Sequence, residues 1–168
     1  MSIWSISFSV VCITLVFACT PTSLYADEVA SVLRVIDGDT MVVRIGSRVE
    51  HIRLLGIDAP ELKDRKSGVA QCFSHEARRK LKKLTHDKEI TLVRDPQNKN
   101  RDTYGRLLRY VLSGVTQKSE SLNQQLVSTG FVRVYGRFEF EKKSEFIKQE
   151  KHARAQRFGL WGACAKKL

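Results

Sequence analysis

The sequence predicts an α+β, mainly β domain: a five-stranded Greek-key barrel of OB type carrying about three α-helices. Three observations carry this expectation. The chain has 168 residues, the size of one ordinary domain. Its Val- and Ile-rich runs alternate in polarity and are broken by Gly- and Asp-bearing turns. Three further stretches space their apolar residues as helices do and end on glycine or a polar loop.

Taken in order, Ser31 to Asp37 and Thr40 to Ile45 read as strands flanking the turn Asp37-Gly38-Asp39, a hairpin with acids at its tip. Gly46-Ser47 suits a two-residue reverse turn, and Arg48 to Leu55 supplies the third strand. Alternation sends Ile52 and Leu54 to one face and Arg53 to the other. Pro60 closes this region, and Leu62 to Phe73 is polar enough to be a surface loop. Ser74 is the expected N-cap of a helix through Leu84, with Ala77, Leu81 and Leu84 on its apolar face. Strands are expected over Glu89 to Asp95 and Leu107 to Leu112, separated by a polar loop holding Arg101 and Asp102. Leu122 to Ser128 fits a short helix stopped by Gly130, and Phe131 to Tyr135 a short strand. Phe140 to Phe158 is the longest helical pattern, after which Leu160 and Trp161 pack back as an anchor.

The formal net charge is +11 with a sequence pI of about 9.8, which favours polyanionic partners, nucleic acid first and an anionic membrane surface second. Residues 1–26 contain no charged side chain, and Phe8 to Ala18 is an apolar or small run too short to span a bilayer. This reads as a signal peptide cleaved near Ala26, leaving residues 27–168 as the mature domain, secreted or periplasmic. A lipid anchor at Cys19 is the alternative. Cys12 and Cys19 fall in the leader, so Cys72 and Cys164 remain, and export makes a disulfide between them the expectation. Loop entropy would then favour the fold by about 4 to 5 kcal/mol.

The candidate chemistry lies between Val35 and Glu61, where the acids Asp37, Asp39, Asp58 and Glu61 stand at two turns and Arg53 between them. Phosphodiester hydrolysis requires an activated water and stabilisation of charge on phosphorus. Asp39 and Asp58 are oxygen ligands of the kind a hard divalent cation takes. Glu61, three residues beyond Asp58, is placed to take a proton from water. Arg53 and Arg106 offer planar forks to phosphate oxygens. Each residue singly has a duller reading: turn former, dipole-capping acid, or solvated surface cation.

Together, Val35-Ile36-Asp37-Gly38-Asp39-Thr40, Ile52 to Glu61, Asp102-Thr103-Tyr104-Gly105-Arg106, Leu122-Asn123 and Gly159-Leu160-Trp161 closely resemble the staphylococcal (thermonuclease-type) nuclease family over about Ser31 to Trp161. The resemblance implies calcium-dependent endonucleolytic cleavage of DNA and RNA to products ending in 3′-phosphate. It assigns Asp39, Asp58 and the backbone carbonyl of Ala59 to calcium, and Asp37 to an outer acid. Glu61 takes the general-base position, and Arg53 and Arg106 the phosphate-binding ones. Tyr104 falls beside the nucleotide, and Tyr135 or Phe138 where a base is stacked. Ala59 stands where the best-known member has threonine, which a backbone ligand tolerates.

The competing expectation is a non-catalytic nucleic-acid-binding barrel; a basic protein of the envelope surface ranks last, because the cations are not arranged over an interfacial apolar face. A monomer with no stable membrane partner is expected.

Overall fold

The computed structural model describes residues 27–64, 66–114 and 120–164. The expected leader, its cleavage point and Cys19 lie outside the described residues. No described helix is long and apolar enough to cross a membrane.

Strands β1 (Glu28–Val35), β2 (Thr40–Ile45), β3 (Arg48–Leu54), β5 (Glu89–Val93) and β6 (Leu107–Ser113) close a barrel in the order β1-β2-β3-β6-β5. Two short strands, β4 (Ile57–Asp58) and β7 (Arg133–Val134), form a separate antiparallel pair beside it. The helices are α1 (Ser74–Thr85), α2 (Leu122–Ser128), α3 (Lys143–Ala155) and the single turn α4 (Leu160–Ala163).

Alternation fills the barrel. Met41, Val43, Ile52, Leu54, Ile90, Leu92 and Val111 are inward and buried, while Arg44 and His51 face out. At about 25 cal/mol per Å² of apolar surface, these side chains supply most of the drive to close the sheet. Phe140, Phe146 and Tyr110 extend the core beneath α2 and α3, with ring centroids 5.6 and 6.2 Å apart.

Strands joined in hairpins predict a small antiparallel barrel, and one correction concerns strand direction. The expected hairpins are present, but β3 and β6 pair in parallel, with Ile52 opposite Leu107, Arg53 opposite Leu108 and Leu54 opposite Arg109. The barrel is therefore mixed, and the chain from β3 to β6 makes the long crossover that parallel pairing demands. Buried Asn123 fills the gap where these strands diverge. Its Nδ2 donates to the carbonyls of Leu55 (2.9 Å) and Arg109 (3.1 Å), and its Oδ1 accepts from the Val111 amide (3.0 Å).

The helix ends also depart from expectation. Ser74 is not the cap of α1 but its first residue, buried. Phe73 precedes it in the left-handed region, held by its ring contact with Phe131 at 5.3 Å. α3 is shorter than its pattern. Phe140 is spent in the core before the helix begins, and Arg157, with φ of 55°, ends the helical path before Phe158. α2 has the expected bounds, with Ser121 as N-cap accepting from the Gln124 amide.

Two devices fasten the C-terminal region. Cys72 and Cys164 form the expected disulfide, with a sequence separation of 92. Gly130 and Gly159, both at positive φ, lie back to back, and the Leu160 amide donates to the Gly130 carbonyl at 2.8 Å. A Cβ on either would collide with backbone of the other segment.

Candidate active site

The β-ladders gather the site at one end of the barrel. Thr40, at the start of β2, pairs with Arg53 near the end of β3, and Arg53 pairs with Leu108 of β6. Arg106, immediately before β6, thus arrives beside Arg53 through the parallel ladder. The two arginines, with Asp58, Tyr104 and Tyr135, line one cleft of about 300 Å³, whose floor includes Leu108 and Phe138.

Arg53 is largely buried and tightly held. Its Nη1 donates to the carbonyls of Ile57 (2.7 Å) and Leu54 (3.1 Å) and lies 3.0 Å from Asp39 Oδ2, while Nη2 lies 3.4 Å from Asp58 Oδ1. One guanidinium therefore links Asp39 and Asp58, which are far apart in sequence. Arg106 is aimed by Asp102, whose Oδ2 accepts from Arg106 Nε at 2.7 Å and whose Oδ1 accepts from the amides of Tyr104 and Arg106. Burial works against a charge on Asp102, but the hydrogen bonds and charge of Arg106 outweigh it and hold the carboxyl below its usual range. The Tyr104 ring lies 5.3 Å from the Arg106 guanidinium, and the residue is 68% exposed.

Asp39 stands behind Arg53. It accepts the Ala59 amide at 2.6 Å and the Thr40 hydroxyl at 2.9 Å, and that same hydroxyl accepts from Arg106 Nη1 at 3.4 Å. Asp37 accepts from the Asp39 amide at 3.1 Å, which is the turn-forming role expected of such residues. Gly38 between them has no room for a side chain. A Cβ would come within 2.7 Å of the Ala77 Cβ on α1 and 2.8 Å of the Ala59 Cβ. Close approach at Gly38 thus presses the first acidic turn onto the second.

Burial pushes the Asp39 carboxyl up to about 7 despite the Arg53 guanidinium beside it, and the charge of Asp37 adds to the rise. Asp39 and Asp58 set carboxyl oxygens on either side of one guanidinium, and oxygen donors of this kind are those a hard cation takes. No group of three acidic, histidine or cysteine side chains among the described residues forms a ready metal cage, so any such ion would draw further oxygens from backbone and water.

Glu61 does not line the cleft; it opens the exposed loop that follows. Its backbone is clamped by Gln71, which accepts the Glu61 amide at 3.0 Å and donates its own amide to the Glu61 carbonyl at 2.9 Å. Tyr135 and Phe138 sit together, centroids 5.3 Å apart, and both line the cleft.

The structure therefore brings Arg53, Asp58, Tyr104, Arg106 and Tyr135 together, sets Asp39 and Ala59 directly behind, and leaves Glu61 outside the cleft lining. Sequence reasoning missed Asp102, Thr40 and Gln71 as positioning groups. Asp102 was open to discovery, since Asp three residues before Gly105 in a polar loop is an Asx-turn signal. Gln71 carries no such local sign.

A family profile described as Staphylococcal nuclease homologue matches residues 51–163, a span holding Arg53, Asp58, Glu61 and Arg106 and beginning after Asp39. A micrococcal nuclease of Shigella flexneri is 34% identical over 143 residues, covering 82% of this chain and 75% of that protein. An uncharacterized protein of Methanocaldococcus jannaschii is 30% identical over 145 residues, covering 77% and 70%. A thermonuclease of Staphylococcus hyicus is 29% identical over 136 residues, covering 80% and 76%. With the profile spanning most of the chain and a closed five-stranded barrel beneath the matched motifs, this protein belongs to the staphylococcal nuclease family.

Proposed function

We propose that the protein is a calcium-dependent endonuclease that hydrolyses phosphodiester bonds of DNA and RNA and leaves 3′-phosphate ends. The observation that carries this reading is the convergence of two guanidiniums, Arg53 and Arg106, on one cleft beside Asp58, with the buried carboxylate of Asp39 behind them.

Arg53 and Arg106 bind the nonbridging phosphate oxygens and oppose the charge that grows as phosphorus becomes five-coordinate. Because Ile57, Leu54 and Asp102 already fix both forks, little reorganisation is left to the reacting complex. Calcium, when bound, would be held by Asp39, Asp58 and the Ala59 carbonyl and would supply Lewis-acid stabilisation of the phosphate. Glu61 takes the proton of the attacking water, its backbone kept in place by Gln71. Tyr104 and Tyr135 flank the nucleotide, and stacking there contributes about 1 to 3 kcal/mol per base. Secretion or periplasmic export after cleavage near Ala26, and action as a monomer, accompany this reading.

The test is digestion of defined DNA and RNA oligomers with calcium and with a chelator, followed by end-group analysis. Fragments ending in 3′-phosphate only with calcium are expected. Intact oligomer that migrates as a retarded complex under calcium would instead identify a binding module.

A further inference from the structure

A second cavity, of about 410 Å³, adjoins the β4–β7 pair at Arg133. Its walls are Pro60, Val69 and the Cys72–Cys164 disulfide, and its polar groups come from Ser67, Gln71 and Arg133. From these residues we infer that it is a second nucleotide subsite, in which Arg133 holds the phosphate neighbouring the scissile one on a single strand of nucleic acid. This rests on the reading of the cleft as the place of cleavage.

Continuity with the cleft supports the assignment. Arg133 is the strand partner of Asp58 in the β4–β7 pair, and directly paired residues send their side chains to the same face with Cβ atoms about 5 Å apart. Asp58 lines the cleft and Arg133 the second cavity. Tyr135 lies two residues beyond Arg133, and its amide continues the ladder by donating to the Gly56 carbonyl at 2.9 Å. It therefore leaves the same face as Arg133, about 7 Å along the strand. A ring for a base and a cation for the next phosphate are thus set out in line across the boundary between the two spaces.

The charge of Arg133 is available. Asp58 pairs with Arg53 instead, and no carboxylate among the described residues forms an ion pair with Arg133. Its guanidinium lies over Trp161 with 5.8 Å to the ring centroid, which steadies the side chain without neutralising it. Asp64, in the same loop, turns its oxygens onto the loop's own groups: the amides of Lys66 and Ser67, the Ser67 hydroxyl and Gln71 Nε2. A cation, uncharged polar groups and an apolar wall in a space of a few hundred Å³ suit a nucleotide better than a purely apolar ligand.

The experiment measures fluorescence-anisotropy binding of labelled oligothymidylates, from dinucleotide to hexanucleotide, in chelator, and cleavage of the same series in calcium. The proteins are the wild type, R133A, R133Q and, as a charge-matched control, R79A on the exposed face of α1. The wild type should gain affinity beyond the dinucleotide. R133A and R133Q should lose that gain, about tenfold on the longer oligomers, with a shallower salt dependence by about 0.7 in log–log slope for one phosphate contact. Dinucleotide binding and cleavage should be unchanged, and R79A should match the wild type. Unchanged binding of long oligomers in both variants, or equal losses on long and short ones, would overturn the subsite. Absence of wild-type cleavage with the length-dependent loss still present would refute the nuclease reading and leave the subsite standing.

Discussion

Asp102 has no place in the chemistry itself, yet its removal should slow the enzyme. In Asp102→Ala the Arg106 Nε loses an acceptor at 2.7 Å, and the amides of Tyr104 and Arg106 lose the oxygen that shapes their turn. What remains near Arg106 is a 3.4 Å contact to the Thr40 hydroxyl and the exposed Tyr104 ring, neither of which fixes a guanidinium plane. The side chain then has to be ordered by the substrate. Arginine carries about 2 kcal/mol of rotamer entropy, so the full loss corresponds to about 30-fold in kcat/KM. Asp102→Asn should keep the turn, because the amide oxygen still accepts from the two backbone groups. Its NH₂ would meet Arg106 Nε donor to donor, and activity should fall by a similar factor. The assay is initial-rate cleavage of single-stranded DNA in calcium, with circular dichroism to verify the fold. Arg106→Lys, which removes the fork, should cost about 100- to 1,000-fold, and Asp102→Ala added to it should cost little more, since both act through one group. Rates within about twofold of wild type for both Asp102 variants, or full additivity with Arg106→Lys, would refute a positioning role.

Glu61→Ala should lower kcat by about 100-fold or more with an unchanged circular dichroism spectrum; unaltered turnover would remove Glu61 as the base. Asp64 should hold its loop far into acid. Its carboxyl is lowered to about 2, first by the Ser67 amide and then by the Gln71 side chain. A depressed folded-state value gives stabilisation that is complete above the unfolded value and lost as pH falls through about 2. Protection of the Lys66 and Ser67 amides, followed by hydrogen exchange, should therefore persist at pH 3 and vanish in Asp64→Ala; loss of protection already near pH 4 would contradict this. Asn123→Ala removes the side-chain partner of the buried Val111 amide and of the Leu55 carbonyl, while the Arg109 carbonyl keeps the Leu55 amide at 2.9 Å, and should reduce stability by about 2 kcal/mol or more in urea unfolding. A loss below about 1 kcal/mol would show that water replaces the side chain.

How far the sequence could be read depends on the range of the interaction involved. The β1–β2 and β2–β3 hairpins follow from local alternation and from turns whose residues dictate their shape, and Arg53 was placed on the outer face by counting in twos. The union of β3 with β6 was not legible, because alternation is the same for parallel and antiparallel strands and the deciding contacts are distant in the chain. The start of α1 was misjudged for a related reason. Ser74 has the chemistry of a cap, but the neighbouring Cys72 is tied to Cys164 and Phe73 to Phe131, and these remote partners decide where the helix begins. Among site residues, charged side chains in motifs could be named in advance. Gln71 could not, since its importance lies in meeting Glu61 ten residues away across a loop.

The parallel junction of β3 with β6 also bears on when the protein becomes active. Arg53, Asp39 and Asp58 belong to segments that can assemble early from neighbours in the chain, whereas Arg106 joins them only when strands separated by a long crossover meet and shut the cylinder. Half of the anion-gripping apparatus is thus delivered by a nonlocal event of folding. An immature or truncated polypeptide would carry most of the acidic groups yet lack the second cationic finger. Competence for cutting is in this way tied to completion of the whole shell.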